Sequence, residues 1–468
     1  MVTLPLPWHS RSGMSEQPAP FARTLGVTGV LLLTLSVTTP ASSVFIFFPD
    51  MFAAAGTGVV WAFLIAGLVC VATAFIYAEL SSAWPVAGGE YVMVAHTLGP
   101  FAGFLMLGLN VANNLLFLPV AALGISDVLA AVLPGLPEVP VALAVVAACT
   151  VVGLFDIRLN AAITGAFLLL EVAALLIVAW LGFGDAVRSP LAFLTHPVAV
   201  SGDDLAPASA AGIGVATSVA IFALNGYGAA VYFGEEMLDA PSRIARAVML
   251  ALFGTLALEG LPVLAALLGA PDLRALFTSA NPFGDFVATL GGSALAKWIA
   301  VGVALAIVNA IIAWVLACAR FFYGTGRDRC WGRPVDRWLT AIHPRFGSPW
   351  IATIAIGAVS MALCFLPKAS LEVWSGTGLL AIYAGIAVAA VAGRRGGGSA
   401  HARYCMPLYP LWPLVTIGAL FYVAWTNWQD VETGRPALLA TLLQVAAAAG
   451  YYLLVLRRRG EWTVHVPD

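Results

Sequence analysis

The feature that most constrains this chain is a series of long, nearly uncharged apolar runs. They fall at about 24–48, 57–82, 99–132, 138–155, 159–182, 208–236, 246–270, 295–324, 349–366, 372–393, 408–428 and 436–456. A helix needs ~20 mostly apolar residues to cross a bilayer, and backbone in hydrocarbon must satisfy its own hydrogen bonds. The runs therefore predict an all-α polytopic membrane protein with 12 transmembrane helices. Those at 99–132 and 295–324 exceed one bilayer thickness and predict tilt. Charged residues make up 10% of the chain, against ~25% in an ordinary soluble domain, so soluble, disordered and disulfide-scaffold classes are excluded.

Basic residues set the expected orientation. With both termini cytoplasmic, seventeen Lys and Arg fall on the inner side and five (Arg188, Arg274, Lys297, Lys368, Arg435) on the outer, accounting for all 22. A multi-pass protein of the plasma (inner) membrane is expected, with polar cytoplasmic tails at 1–23 and 457–468 and a Gly-rich cytoplasmic linker at 394–407. The N-terminal stretch lacks the apolar segment of a cleaved signal peptide.

Several functions are disfavoured. A net charge of −2 leaves no basic excess for a phosphate backbone, so no nucleic-acid partner is expected. Six scattered cysteines include no CxxC pair, and the six histidines no HxxxH pair, so neither metal nor cofactor is expected. No GxxxxGK[ST], GxSxG or HExxH segment occurs, which argues against an ATP engine and against an enzyme.

Two runs are interrupted. The first carries Thr38-Thr39-Pro40-Ala41-Ser42-Ser43 between apolar halves, and the sixth carries Asn225-Gly226-Tyr227-Gly228. Proline removes a backbone donor and clashes with the preceding turn; glycine permits unwinding. Either alone is an ordinary membrane-helix kink. As a pair at equivalent places in two halves, 24–182 and 208–393, they mark the midplane substrate site of an inverted-repeat transporter. Thr39, Pro40, Ala41, Ser42 and Ser43, with Asn225 and Gly226, are the candidate solute-binding residues.

Three stretches resemble the amino acid–polyamine–organocation (APC) superfamily of permeases: Tyr77-Ala78-Glu79-Leu80 through Pro85-Val86-Ala87-Gly88-Gly89-Glu90-Tyr91; Phe222 through Glu235-Glu236 and Pro241-Ser242-Arg243; and Ala319-Arg320-Phe321-Phe322-Tyr323 through Arg327-Asp328 to Pro349. The resemblance covers about 22–456. It implies a LeuT-type 5+5 inverted repeat, two additional C-terminal helices at 408–456, and alternating access. The implied function is secondary transport of a small amino acid or organic amine, by proton symport or by exchange. A homo-oligomer is compatible with it, as is a transport-like sensor without turnover.

Ionisable groups within a span are costly, by ~2.5 kcal/mol or more, and are functional candidates by default. Glu171 lies mid-run in AFLLLEVAALL, and Glu259 in LALEGLPVL. The place of Glu171 is similar to one where many APC members carry a lysine that substitutes for a bound sodium ion and takes the coupling proton. Glutamate departs from that pattern but also titrates. A structural carboxyl bonded to a neighbouring helix is the alternative for each. Sodium-coupled relatives supply hydroxyls from helix 8, whereas Leu316-Ala317-Cys318-Ala319-Arg320 has none, which favours proton coupling or exchange.

Phe222 matches the family's gating aromatic and Trp314 its helix 8 tryptophan, whose ring face can cover an amine; both can equally be packing. Asn110, Asn113 and Asn114 sit close together on the third run, able to reach the cavity or to join helices. Two departures leave the solute open. The family's Gly-Ser/Thr-Gly turn, whose amides hold a carboxylate, is replaced by Pro40-Ala41-Ser42-Ser43. Gly228 stands where a glutamate is frequent.

Overall fold

The structure is a computed structural model, which describes residues 21–129, 132–133, 135–429, 431 and 434–466. The expected N-terminal tail up to residue 20, and residues 467–468 of the C-terminal tail, lie outside the described residues. The fold is almost wholly helical. Among the described residues, eight stretches are long and apolar enough to cross a membrane: Val27–Ala83, Pro100–Leu129, Ile157–Gly184, Ala210–Glu236, Ala240–Gly269, Ser293–Arg327, Trp374–Gly396 and Gly434–Arg459. Glu138–Gly153 and Trp350–Leu363 are shorter apolar helices, and Leu411–Gln429 is a further helix of 19 residues.

The first stretch, of 57 residues, would extend ~85 Å as one rod at ~1.5 Å per residue, far more than a bilayer. It folds back on itself. Leu35 packs against Gly254, and Thr38 bonds Thr255 at 3.2 Å, so the chain here runs parallel to helix Ala240–Gly269. Further on, Phe63 meets Gly260 and Gly67 meets Leu256, an antiparallel order. The reversal falls at Gly56-Thr57-Gly58, where Gly56 has φ 52°. Two antiparallel segments therefore occupy this stretch, at the places of the separate runs 24–48 and 57–82.

Two elements depart from the sequence expectation. Ahead of the third run lies a separate helix, Glu90–Leu98, set off from Pro100–Leu129 by Gly99 (φ 98°). Between the fifth and sixth runs lies a two-stranded antiparallel hairpin, Val198–Ser201 with Asp204–Pro207. Its strand pairs satisfy the backbone of a polar connection.

Burial divides each helix into a protein-facing and an outward-facing side. On Ile157–Gly184, Leu169 is 71% exposed and Trp180 80%, while Leu168, Glu171 and Leu175 are buried. Such exposed apolar side chains are what a lipid-facing surface requires. Helix Ser293–Arg327 is the most enclosed: Ile307 and every residue from Asn309 through Gly326 are buried. The segments at 21–25, 84–98, 328–332 and 460–466 gather at one end of the bundle, hereafter the tail face. There Thr24 and Leu25 donate to the Glu236 carbonyl, and His96 bonds the His465 carbonyl at 3.0 Å.

Candidate functional site

Both sequence-marked interruptions are helix breaks. Helix Val27–Thr38 ends at Thr39, whose φ of 44° is left-handed. Pro40, which has no N–H, starts the next segment, Pro40–Ser42, which continues through a π-helical stretch Ser43–Phe47 into Phe48–Ala55. Helix Ala210–Ala223 stops at Leu224; Gly226 has φ 119°, and a tight 3-10 helix, Tyr227–Glu236, follows. The two breaks touch. Ser43 donates its hydroxyl to the Ala223 carbonyl at 3.1 Å. A Cβ at Gly226 would stand 2.9 Å from Thr38 Cα, so only glycine allows this approach.

A small central cavity of about 30 Å³ opens between them, bordered by Thr38, Thr39, Phe47, Asn113, Phe222, Asn225, Gly226, Trp314 and Ser375. A second cavity of about 30 Å³ shares Thr39, Phe47, Phe222 and Ser375 and reaches Ser42, Ile46 and Lys368. Ile46 and Lys368 also border a vestibule of about 430 Å³ at the end away from the tail face, with Asp50, Asp127, Asp285 and Lys297 around it. Phe47 and Phe222 meet edge to face at 5.2 Å between the chambers. Lys368 pairs with Asp127 at 3.0 Å.

Of the sequence candidates, Asn113 lies on the cavity and accepts from Ser375 at 3.3 Å. Asn225 accepts from Tyr383 at 2.6 Å. Trp314 is held by its indole N–H, which donates to the Asn114 carbonyl at 2.9 Å, with its ring 4.9 Å from Phe117. Asn110 does not border the cavity. It donates to Glu90 at 3.1 Å, and Asn114 donates to Tyr232 at 3.5 Å. Gly228 packs against the Tyr77 ring and leaves no room for a side chain there.

The two intramembrane carboxyls flank the first break. Glu171 is fully buried; its Oε1 accepts the Ala41 N–H at 2.7 Å and lies 3.5 Å from the Thr39 hydroxyl, which also bonds Ser42 at 2.7 Å. Its Oε2 has no hydrogen-bond partner. Glu259 is likewise fully buried, next to the Ser43 hydroxyl. A carboxyl so placed can hold a proton or receive a cation. No group of three His, Cys, Asp or Glu among the described residues could hold a metal ion.

The tail face is sealed. Arg320 is buried and forms an ion pair with Glu236, also donating to the Leu316 carbonyl at 2.9 Å. Arg327 pairs with Glu235 and with Asp328, which accepts from Tyr91 at 2.9 Å. Glu79 is clasped by Arg394 at 2.8 Å and by the Met406 amide at 2.7 Å. Between this seal and the cavity sits Glu90, which accepts from Tyr77 and Tyr232, both at 2.8 Å, and from Asn110. Sequence reasoning gave no site role to Glu90, Tyr77 and Tyr232, which fall within the family-like stretches, nor to Tyr383, Phe47 and Ser375. They are single residues in helices, and no spacing rule distinguishes them from core.

A family model described as "Amino acid permease" matches residues 25–455. An uncharacterised transporter of Mycobacterium tuberculosis is 30% identical over 310 residues; the match spans 66% of this chain and 66% of that relative's length. A branched-chain amino acid permease of Lactococcus lactis is 27% identical, covering 83% of this chain and 87% of its own. A methylthioribose transporter of Bacillus subtilis is 23% identical, covering 78% and 79%.

Proposed function

Because the chain belongs to the amino acid permease family, a family of transporters rather than enzymes, we propose that it is a secondary active transporter. It moves a small amino acid or organic amine across the plasma membrane by alternating access, coupled to a proton. The reading is supported by one observation above the rest: two helix breaks in contact at mid-bundle, beside a cavity closed toward the tail face and adjoining a vestibule on the opposite side.

In this reading the chain crosses the membrane twelve times, as two inverted five-helix repeats at 24–182 and 208–393 followed by two more helices. The tail face is cytoplasmic, as the basic residues favour. Thr39, Ser42, Asn113, Phe222, Asn225 and Trp314 surround the solute, and Phe47 and Phe222 close over it. Opening on the other side parts the Arg320–Glu236 and Glu79–Arg394 pairs. Glu171 carries the coupling proton, since among the described residues it alone joins a titratable side chain directly to the backbone of the first break. Exchange of one solute for another uses the same parts without net proton movement.

Uptake into proteoliposomes under an imposed pH gradient tests this. Uptake that follows the gradient supports proton-coupled transport. Flux that requires solute on both sides favours exchange, and solute binding with no flux under any gradient rejects transport.

A further inference from the structure

Glu90 is a buried carboxyl to which the proposed mechanism gives no part. It is the first residue of helix Glu90–Leu98. Three neutral donors converge on it from three other elements. Tyr77 on helix Val59–Ala83 donates to Oε1 at 2.8 Å. Tyr232 on the 3-10 helix Tyr227–Glu236 and Asn110 on Pro100–Leu129 donate to Oε2, at 2.8 and 3.1 Å. Among the described residues no Lys, Arg or His pairs with it; the titratable groups facing it are Tyr77, Tyr232 and, from helix Lys368–Gly396, Tyr383.

These surroundings suit an anion. An ionised carboxylate can accept from all three donors, whereas a protonated one would turn its own proton against one of them. The positive end of a helix also favours negative charge at its first residue. Glycine seats both phenols: a Cβ at Gly89 would run into the Tyr232 ring, and one at Gly228 would stand 2.9 Å from Tyr77 Cζ. A buried charge without a counter-ion depends on its hydrogen bonds, so losing any one of them is costly.

Tyr232 lies on the same short helix as Glu235 and Glu236, whose ion pairs with Arg327 and Arg320 seal the tail face. Glu90 is fixed to the arginine side of that seal. Its neighbour Tyr91 donates at 2.9 Å to Asp328, the residue that follows helix Ser293–Arg327. A Tyr227–Glu236 segment that withdraws from the two arginines must therefore also leave Glu90. We infer that Glu90 is a positioning residue of the tail-face seal: as an anion it fastens Tyr227–Glu236, the outgoing half of the second break, and holds the tail face shut. The inference rests on the proposal that this face opens during transport.

The test is hydrogen–deuterium exchange on the purified full-length protein, read peptide by peptide. Glu90→Gln sets an amide NH2 against one of the donors. It should speed exchange across Tyr227–Glu236 by about ten-fold or more, the scale of one charged hydrogen bond. Helix Ile157–Gly184 should keep its wild-type exchange. Tyr232→Phe removes a single donor and should produce the same local change, so the test stands even if Glu90→Gln does not fold. Wild-type exchange across 227–236 in a folded variant, or acceleration spread evenly through the bundle, overturns the inference. Local acceleration in a protein that moves no solute in proteoliposomes would instead overturn the transport proposal and leave this fastening in place.

Discussion

Glu171 Oε1 accepts the backbone N–H of Ala41 at 2.7 Å across 130 residues of sequence, so a carboxyl on one helix caps the broken start of another. Any change in the charge of Glu171 is therefore felt directly by the backbone of the first helix break.

Glu171→Gln removes the titration while keeping an acceptor for Ala41. Proteoliposome uptake measured across a pH series should lose its pH dependence in this variant, with the unfolding temperature close to wild type. A wild-type pH profile in the variant would remove Glu171 from coupling.

Trp314 is placed by a 2.9 Å bond to the Asn114 carbonyl and borders the cavity. Trp314→Ala should weaken solute binding by about 1–2 kcal/mol, the range of a cation–π or aromatic contact, in a calorimetric titration. Trp314→Phe should recover part of the loss. Unaltered affinity in the alanine variant would make the ring a packing element only.

Arg320 is buried against Glu236 on the tail face, with its guanidinium 5.7 Å from the Phe21 ring and 5.6 Å from the Phe233 ring. Arg320→Ala leaves a buried carboxylate without its partner and should cost roughly 3–5 kcal/mol. The double variant Arg320→Met with Glu236→Gln removes both charges and should recover much of that stability. Equal unfolding midpoints for the single variant and the wild type would show that the pair contributes little.

His96 lies outside the long apolar helices, stacked on Trp84 at 3.9 Å and bonded to the His465 carbonyl at 3.0 Å. Burial pushes its pKa below the ordinary 6.5; the bond to His465 opposes this and nearby His401 adds to it. A lowered folded-state value means the native protein binds fewer protons than the unfolded chain. Its contribution is present above pH ~6.5 and is lost as pH falls through the folded value. The unfolding temperature should drop between about pH 7 and about pH 5, and His96→Phe, which stacks but cannot protonate, should flatten that slope. An unchanged slope in the variant would assign the pH effect elsewhere.

The positions of both helix breaks were legible in the sequence because their causes are local. Pro40 lacks an N–H wherever it sits, and Asn225-Gly226 tolerates a left-handed turn without help from distant residues. The partners were not legible. Asn110 and Asn113 are three residues apart on one helix, yet one is bonded to Glu90 and the other borders the cavity with Ser375. The sequence shows their spacing but not which neighbour the helix turns toward.

What the sequence determined by itself was that long apolar helices dominate the chain, the places where two of them break, and the presence of two carboxyls within the apolar runs. Each follows from residue type and spacing along a single segment. Tertiary structure alone decided that Glu171 meets Ala41, that Glu259 lies beside Ser43, and that Arg320 and Glu236 close the tail face. Those pairings join helices far apart in the chain, and the packing of whole helix faces sets which side chains can reach one another.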